Sequence, residues 1–139
     1  MYREAFVLLQ VLDTIFQKRK ITRTDVITNN QIQYLITQME ILEWIQDWLK
    51  DNADGEWEKG DAIQITTLDS PLGWDVEIDI SKTSIANLEI KWILNENGKQ
   101  DWYGVKIQNQ RFRAAGDAGK LTFLLNLFRE MIEKIENED

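Results

Sequence analysis

The chain has 139 residues, 43% hydrophobic and 29% charged, with 24 acids against 16 bases for a formal net charge of −8. This length and composition fit a single soluble domain with room for a core. The absence of cysteine and histidine excludes disulfides, thiolate nucleophiles, the usual zinc ligand sets and imidazole acid–base catalysis.

The acidic balance argues against a nucleic-acid partner, because phosphate contacts made by cations supply most of that affinity. It suits a basic protein partner drawn in by long-range attraction. Carboxylates, Lys, Tyr, Ser and Thr are what remains for catalysis, so no enzyme, cofactor or metal site is expected. The first residues, "MYREAFVLLQVLDTIF", are interrupted by Glu4 and Asp13. They lack a basic leader and a small-residue cleavage site, so no signal peptide is read. No run approaches the roughly 18 apolar residues of a spanning helix. A cytoplasmic protein with no membrane partner is the expectation.

In chain order, residues 2–18 predict a helix, with Val7, Leu8, Val11, Leu12, Ile15 and Phe16 on one face. Thr28 and Gln31 have the spacing of a capping box, which starts a second helix reaching about Lys50. Its apolar arc, from Ile32 to Leu49 and including Tyr34, Ile41, Trp44 and Trp48, covers more than half the circumference. Such a helix is covered on two sides, or it breaks near Glu40. The first is expected, with the N-terminal helix on one side and a sheet on the other.

Strands follow. "DAIQITTL" (61–68) is β-rich, and "SPLG" reverses the chain, with Pro71 fixing φ, Gly73 supplying positive φ and Asp69 capping the turn. "WDVEIDI" (74–80) alternates without a fault, so Trp74, Val76, Ile78 and Ile80 face inward. Asp75, Glu77 and Asp79 face outward, with Lys91 and Lys106 as the cations available to offset them. "LEIKWIL" (88–94) places Leu88, Ile90, Trp92 and Leu94 inward, and Asn97–Gly98 marks a tight hairpin. "DWYGVKI" returns, and "QRFRA" adds a short fifth strand after a turn at Asn109. Asp117 is the expected N-cap of a last helix whose buried stripe is Leu121, Leu124, Leu127, Phe128, Met131, Ile132 and Ile135. The predicted fold is α+β: N-terminal helices, an antiparallel meander of four or five strands, and a C-terminal helix on one sheet face.

The densest charge lies between Glu40 and Glu58, where Glu40, Glu43, Asp47, Asp51, Asp54, Glu56 and Glu58 face only Lys50. A helix C-terminus disfavours carboxylates, because the dipole is negative there. The bland account of this stretch is a solvated loop, with Asp54–Gly55 stopping the helix and Trp57 packed on the sheet edge. The functional account is a partner-facing surface made of Glu43, Asp47, Asp51, Asp54, Glu56, Glu58 and Asp69, with Trp44 or Trp57 as an aromatic anchor. The spacing fits no calcium loop.

The run "LEWIQDWLKDNADGEWEKGDAIQITTLDSPLGWDVEIDISKT" resembles the immunity protein 53 family of bacterial polymorphic toxin systems. Trp44 and Trp48 carry the helix of that pattern, and Asp54, Gly55, Glu56, Trp57 and Glu58 carry its turn. Thr67, Leu68, Asp69, Pro71, Gly73 and Trp74 carry a second block, and Thr83 closes the following strand. Lys59, Glu56 and Ser70 stand where the pattern has His, Asp and Asn, and Leu72 is inserted before Gly73. The resemblance spans about residues 40–128, with residues 1–38 as a helical addition within one domain, 1–139. It implies a non-catalytic inhibitor that binds a cognate toxin, for which a basic nuclease is one candidate. The alternative is a protein-interaction or self-associating module with no toxin.

Overall fold

The computed structural model of the protein describes residues 29–137. The helix expected over 2–18 and the capping residue Thr28 lie outside them. Helix α1 (Asn29–Met39) and helix α2 (Ile41–Asn52) are followed by a 3-10 turn (Trp57–Gly60). Then come β1 (Ile63–Asp69), β2 (Leu72–Asp79), β3 (Ile90–Glu96), β4 (Trp102–Gln108), β5 (Arg111–Asp117) and α3 (Leu121–Asn137).

The architecture is α+β, as expected, but the second helix breaks at Glu40, contrary to the expectation of one continuous element. The backbone bonds Glu40 N–H to Ile36 O and Trp44 N–H to Glu40 O, each 3.1 Å, persist across the break. α2 packs mainly on α3 instead of directly on the sheet. It buries Ile41 and Trp48 and leaves Leu42 and Leu49 exposed. The wide apolar arc is therefore only partly covered among the described residues.

All pairings in the five-stranded sheet are antiparallel, in the order β1-β2-β5-β4-β3. A strict meander would place β3 beside β2. Here the chain after β2 runs to the far edge, and β5 closes onto β2. β5 can take a central position because it is longer and more apolar than "QRFRA" suggests: it continues through Ala114, Ala115 and Gly116 to Asp117. Asp117 is thus a strand end, and the helix that follows starts four residues later.

Turn chemistry also differs from expectation. Asn97–Gly98 lies in a five-residue connection closed by Asn97 N–H to Asp101 O at 2.8 Å. The tight two-residue hairpin is Asn109–Gln110, with φ of 54° and 61°, the left-handed pair that matches strand twist. Gly73 has no positive φ. Its role is close approach, since a Cβ there would fall 2.1 Å from the Gly116 carbonyl oxygen on the neighbouring strand.

One sheet face carries the core. Val76, Ile78, Val105, Ile107, Phe112 and Ala114 meet Leu124, Leu127, Phe128 and Met131 of α3, all fully buried. Phe128 joins the layers, with its ring 5.1 Å from Phe112 on the sheet and 5.0 Å from Trp48 on α2. β3 departs from its expected alternation. A bulge between Ile90 and Ile93 shifts the register, so Ile93 takes the inward place while Trp92 and Leu94 are 44% and 50% exposed.

Candidate functional site

The structure sorts the candidate acids into three groups. On α2, Glu43, Asp47 and Asp51 recur every four residues and therefore share one exposed stripe. Among the described residues, no cation pairs with any of them. Beside this stripe Trp44 is half-buried, stacked on Trp48 at 6.3 Å and edge-on to Phe128 at 6.1 Å. The Arg129 guanidinium lies 5.6 Å from the Trp44 ring centroid.

The second group is the loop "DGEWEKGD", and most of it has a structural task. The Asp54 carboxylate accepts from the backbone N–H of Glu56 at 3.0 Å and of Trp57 at 2.9 Å, which caps the 3-10 turn. The Glu58 carboxylate reaches back to the N–H of Asp54 at 3.0 Å and of Gly55 at 2.7 Å. The exchange is like that of a capping box, with the returning carboxylate one residue further along. Lys82 also pairs with Asp54. That bond, with the Trp57 and Glu56 N–H groups, holds the Asp54 carboxyl far below the usual carboxylate range. Glu58 is lowered too, by backbone N–H groups, its own first and then those of Asp54 and Gly55, against some desolvation.

Gly55 takes φ +95°, which the turn requires and a side chain resists. Trp57 is buried, which removes it as an exposed anchor. Its indole meets Trp48 edge-on at 5.5 Å and donates Nε1–H to Asp79 O at 3.3 Å. Glu56 projects from the loop, its side chain 85% exposed with Lys59 at 3.4 Å.

Asp69 stands apart. It ends β1, seven residues long, at the end of the strand away from the 3-10 turn. At about 3.3 Å per residue the separation along the strand is about 20 Å. Asp69 is exposed and caps nothing in the β1–β2 turn.

The sheet face opposite α3 corrects a further expectation. The cations that offset Asp75 and Glu77 are Arg111 and Arg113, not Lys91 and Lys106. Arg113 grips Asp75 with two bonds, 3.2 and 2.8 Å, and lies 3.6 Å from Glu77, while Arg111 reaches Glu77 at 3.5 Å. Register sets the arginines in the same row as the acids, Glu77 opposite Arg113 and Asp79 opposite Arg111, so the closest ion pairs run diagonally to the next acid along β2. The sequence signal was present in the alternation of "RFR", but only the β2–β5 pairing made it readable.

Another polar cluster closes the far end of the sheet. Lys120 is buried between Asp117 and Asp101, at 2.8 Å from the latter. Asp117 also accepts from Trp102 N–H and Gly119 N–H, each at 2.9 Å. Burial pushes the Asp117 carboxyl up, but Lys120 and the two N–H groups outweigh it and hold the group below its ordinary value. Among the described residues no cluster of acids has the arrangement of a metal site, and no helix is long and apolar enough to cross a membrane.

The family model for immunity protein 53 matches residues 42–133, from α2 through most of α3. The chain belongs to the immunity protein 53 family. None of the curated proteins and none of the solved structures matches it significantly. The family region contains the tryptophan helix, the capped 3-10 turn and the whole sheet, which are the parts that fold together here.

Proposed function

We propose that this member of the immunity protein 53 family binds a cognate toxin in the cytoplasm and neutralises it by covering its working surface, without catalysis. The family membership supports the partner class. The observation that carries the contact surface is the α2 stripe Glu43, Asp47 and Asp51, three exposed carboxylates that pair with no cation among the described residues. Trp44 lies beside the stripe as a partly exposed, rigidly stacked aromatic, the kind of group that anchors interfaces. Asp54, Glu58 and Trp57 support this surface from within, because they fix the loop that follows α2. Asp69 belongs to the far end of the edge strand β1.

Unpaired carboxylates on a rigid helix attract a basic partner over long range and raise its association rate. A basic nuclease fits that chemistry, with carboxylates standing where phosphates would. The test is co-expression with the product of the neighbouring gene, scored for rescue from toxicity, followed by binding kinetics. The triple variant Glu43→Lys, Asp47→Lys, Asp51→Lys is expected to slow association about tenfold or more at low salt, the difference shrinking as salt rises. An unchanged association rate removes the electrostatic contact. Failure of the wild-type chain to protect removes the immunity reading.

A second reading, self-association, draws on Leu42 and Leu49, which are 62% and 39% exposed and share one edge of α2 by their seven-residue spacing. A dimer by sedimentation that dissociates on Leu42→Glu supports it, and a monomer at high concentration rules it out.

A further inference from the structure

Two lysines on the sheet have no carboxylate partner among the described residues, and both lie beside an exposed tryptophan. Lys106 stands on β4 directly opposite Arg113, and Arg113 already takes Asp75 and approaches Glu77. Lys91 sits in the β3 bulge next to Trp92. Neither lysine makes an ion pair among the described residues. With Trp92, Glu89 and Gln108 they line a surface groove of about 410 Å³. Glu89 is turned to the backbone, accepting from Asn109 N–H at 3.5 Å.

The tryptophan is placed, not merely exposed. Its six-membered ring occupies the space where a Cβ on Gly104 would stand, only 2.1 Å from the nearest ring atom. Leu94 pairs across the ladder with that same Gly104 and is 50% exposed. The indole and Leu94 therefore form one apolar strip with cations along its side. A bulge and a lysine on an edge strand also discourage unwanted strand addition. That accounts for Lys91 but not for Lys106, which lies on an inner strand.

We propose that this aromatic–cationic strip on the open sheet face docks an acidic, apolar segment of the partner protein. Carboxylates of that segment would meet Lys91 and Lys106, and its apolar side chains would lie on Trp92 and Leu94. A preorganised indole loses little freedom on binding, which favours it as an anchor. Nucleic acid fits less well, because two free cations on a chain of net charge −8 neutralise few phosphates. The proposal deepens the immunity reading and rests on it for the partner's identity, adding to the acidic α2 stripe a second contact of opposite sign.

The direct test is an NMR titration of the isotope-labelled protein with a short synthetic peptide alternating Glu and Leu. The Trp92 indole N–H is assigned from Trp92→Phe. The peptide is expected to shift that signal and the β3–β4 amides, and Lys91→Glu with Lys106→Glu is expected to weaken binding about tenfold or more. The same peptide with Lys in place of Glu is expected to leave them unmoved. No shift at millimolar peptide, or equal binding by the double variant, overturns the proposal. So does tighter binding of oligo-dT, or a concentration-dependent shift of these signals without peptide, which would make a second copy the occupant.

Toxin protection separates the two claims. If the wild-type chain protects and the double variant does not, both stand. If both protect equally, this inference fails and the immunity reading survives. If the wild-type chain does not protect, the immunity reading falls, and the peptide result alone decides this surface.

Discussion

Removing the Trp57 indole separates the two roles that the "DGEWEKGD" loop combines. Trp57 is 8% exposed, packs edge-on against Trp48 and ties the loop to the end of β2 through Nε1–H and Asp79 O at 3.3 Å. Trp57→Ala deletes a buried aromatic side chain at a junction of α2, loop and sheet, which costs about 3–5 kcal/mol. For a domain of this size, each kcal/mol lowers Tm by about 4 °C, so the expected fall is on the order of 12–20 °C. Trp57→Phe keeps most of the ring and loses the hydrogen bond, so its cost is about 1–2 kcal/mol. Glu56→Lys, one residue away on an exposed side chain, is expected to stay within about 0.5 kcal/mol of wild type. Urea unfolding followed by circular dichroism measures all three, with a constant slope confirming that only stability has changed. Toxin affinity per folded molecule is expected to survive in the tryptophan variants. A Trp57→Ala protein as stable as wild type, or one that loses binding while keeping its stability, would show that the indole is a contact and refute the packing argument.

Other perturbations read other parts of the structure. Gly73→Ala drives a methyl into the Gly116 carbonyl, a backbone atom that cannot swing aside, and is expected to cost about 2–3 kcal/mol in urea unfolding. For Gly104→Ala the three nearest atoms all belong to the half-exposed Trp92 side chain, which can swing outward, so it is expected to change stability by less than about 1 kcal/mol while displacing the Trp92 indole signal. Asp117→Asn is expected to cost about 2–3 kcal/mol at neutral pH, because Lys120 keeps only Asp101. Since the folded Asp117 carboxyl lies below its unfolded value, its stabilisation is present above about pH 4 and is lost as pH falls through the folded value. Unfolding midpoints of Asp117→Asn measured toward acid should therefore fall less steeply than those of wild type.

The hydrophobic pattern carried most of the secondary structure. The alternation in Trp74 to Ile80 and the helical stripe from Leu121 to Ile135 were legible because burial on one face imposes a fixed period on any strand or helix. The acidic density between Glu40 and Glu58 was legible for the same reason, being a local property of the chain. Its division into an exposed α2 stripe, unpaired among the described residues, and a self-capped loop was not. Asp54 and Glu58 look like Glu43 and Asp47 in sequence, and only backbone geometry turns the first pair inward to N–H groups.

Periodicity also misread β3, since a bulge adds a residue without changing composition and brings Trp92 out over Gly104. The strand order was likewise beyond local pattern. Which cations meet Asp75 and Glu77 depends on β5 lying beside β2, a contact between segments far apart in the chain. The sequence by itself determined where strands and helices form and where charge is dense. The tertiary structure decided which acids are already satisfied, which lysines have no partner among the described residues and which tryptophan faces out, because partners of that kind are set by long-range register, to which local spacing is blind.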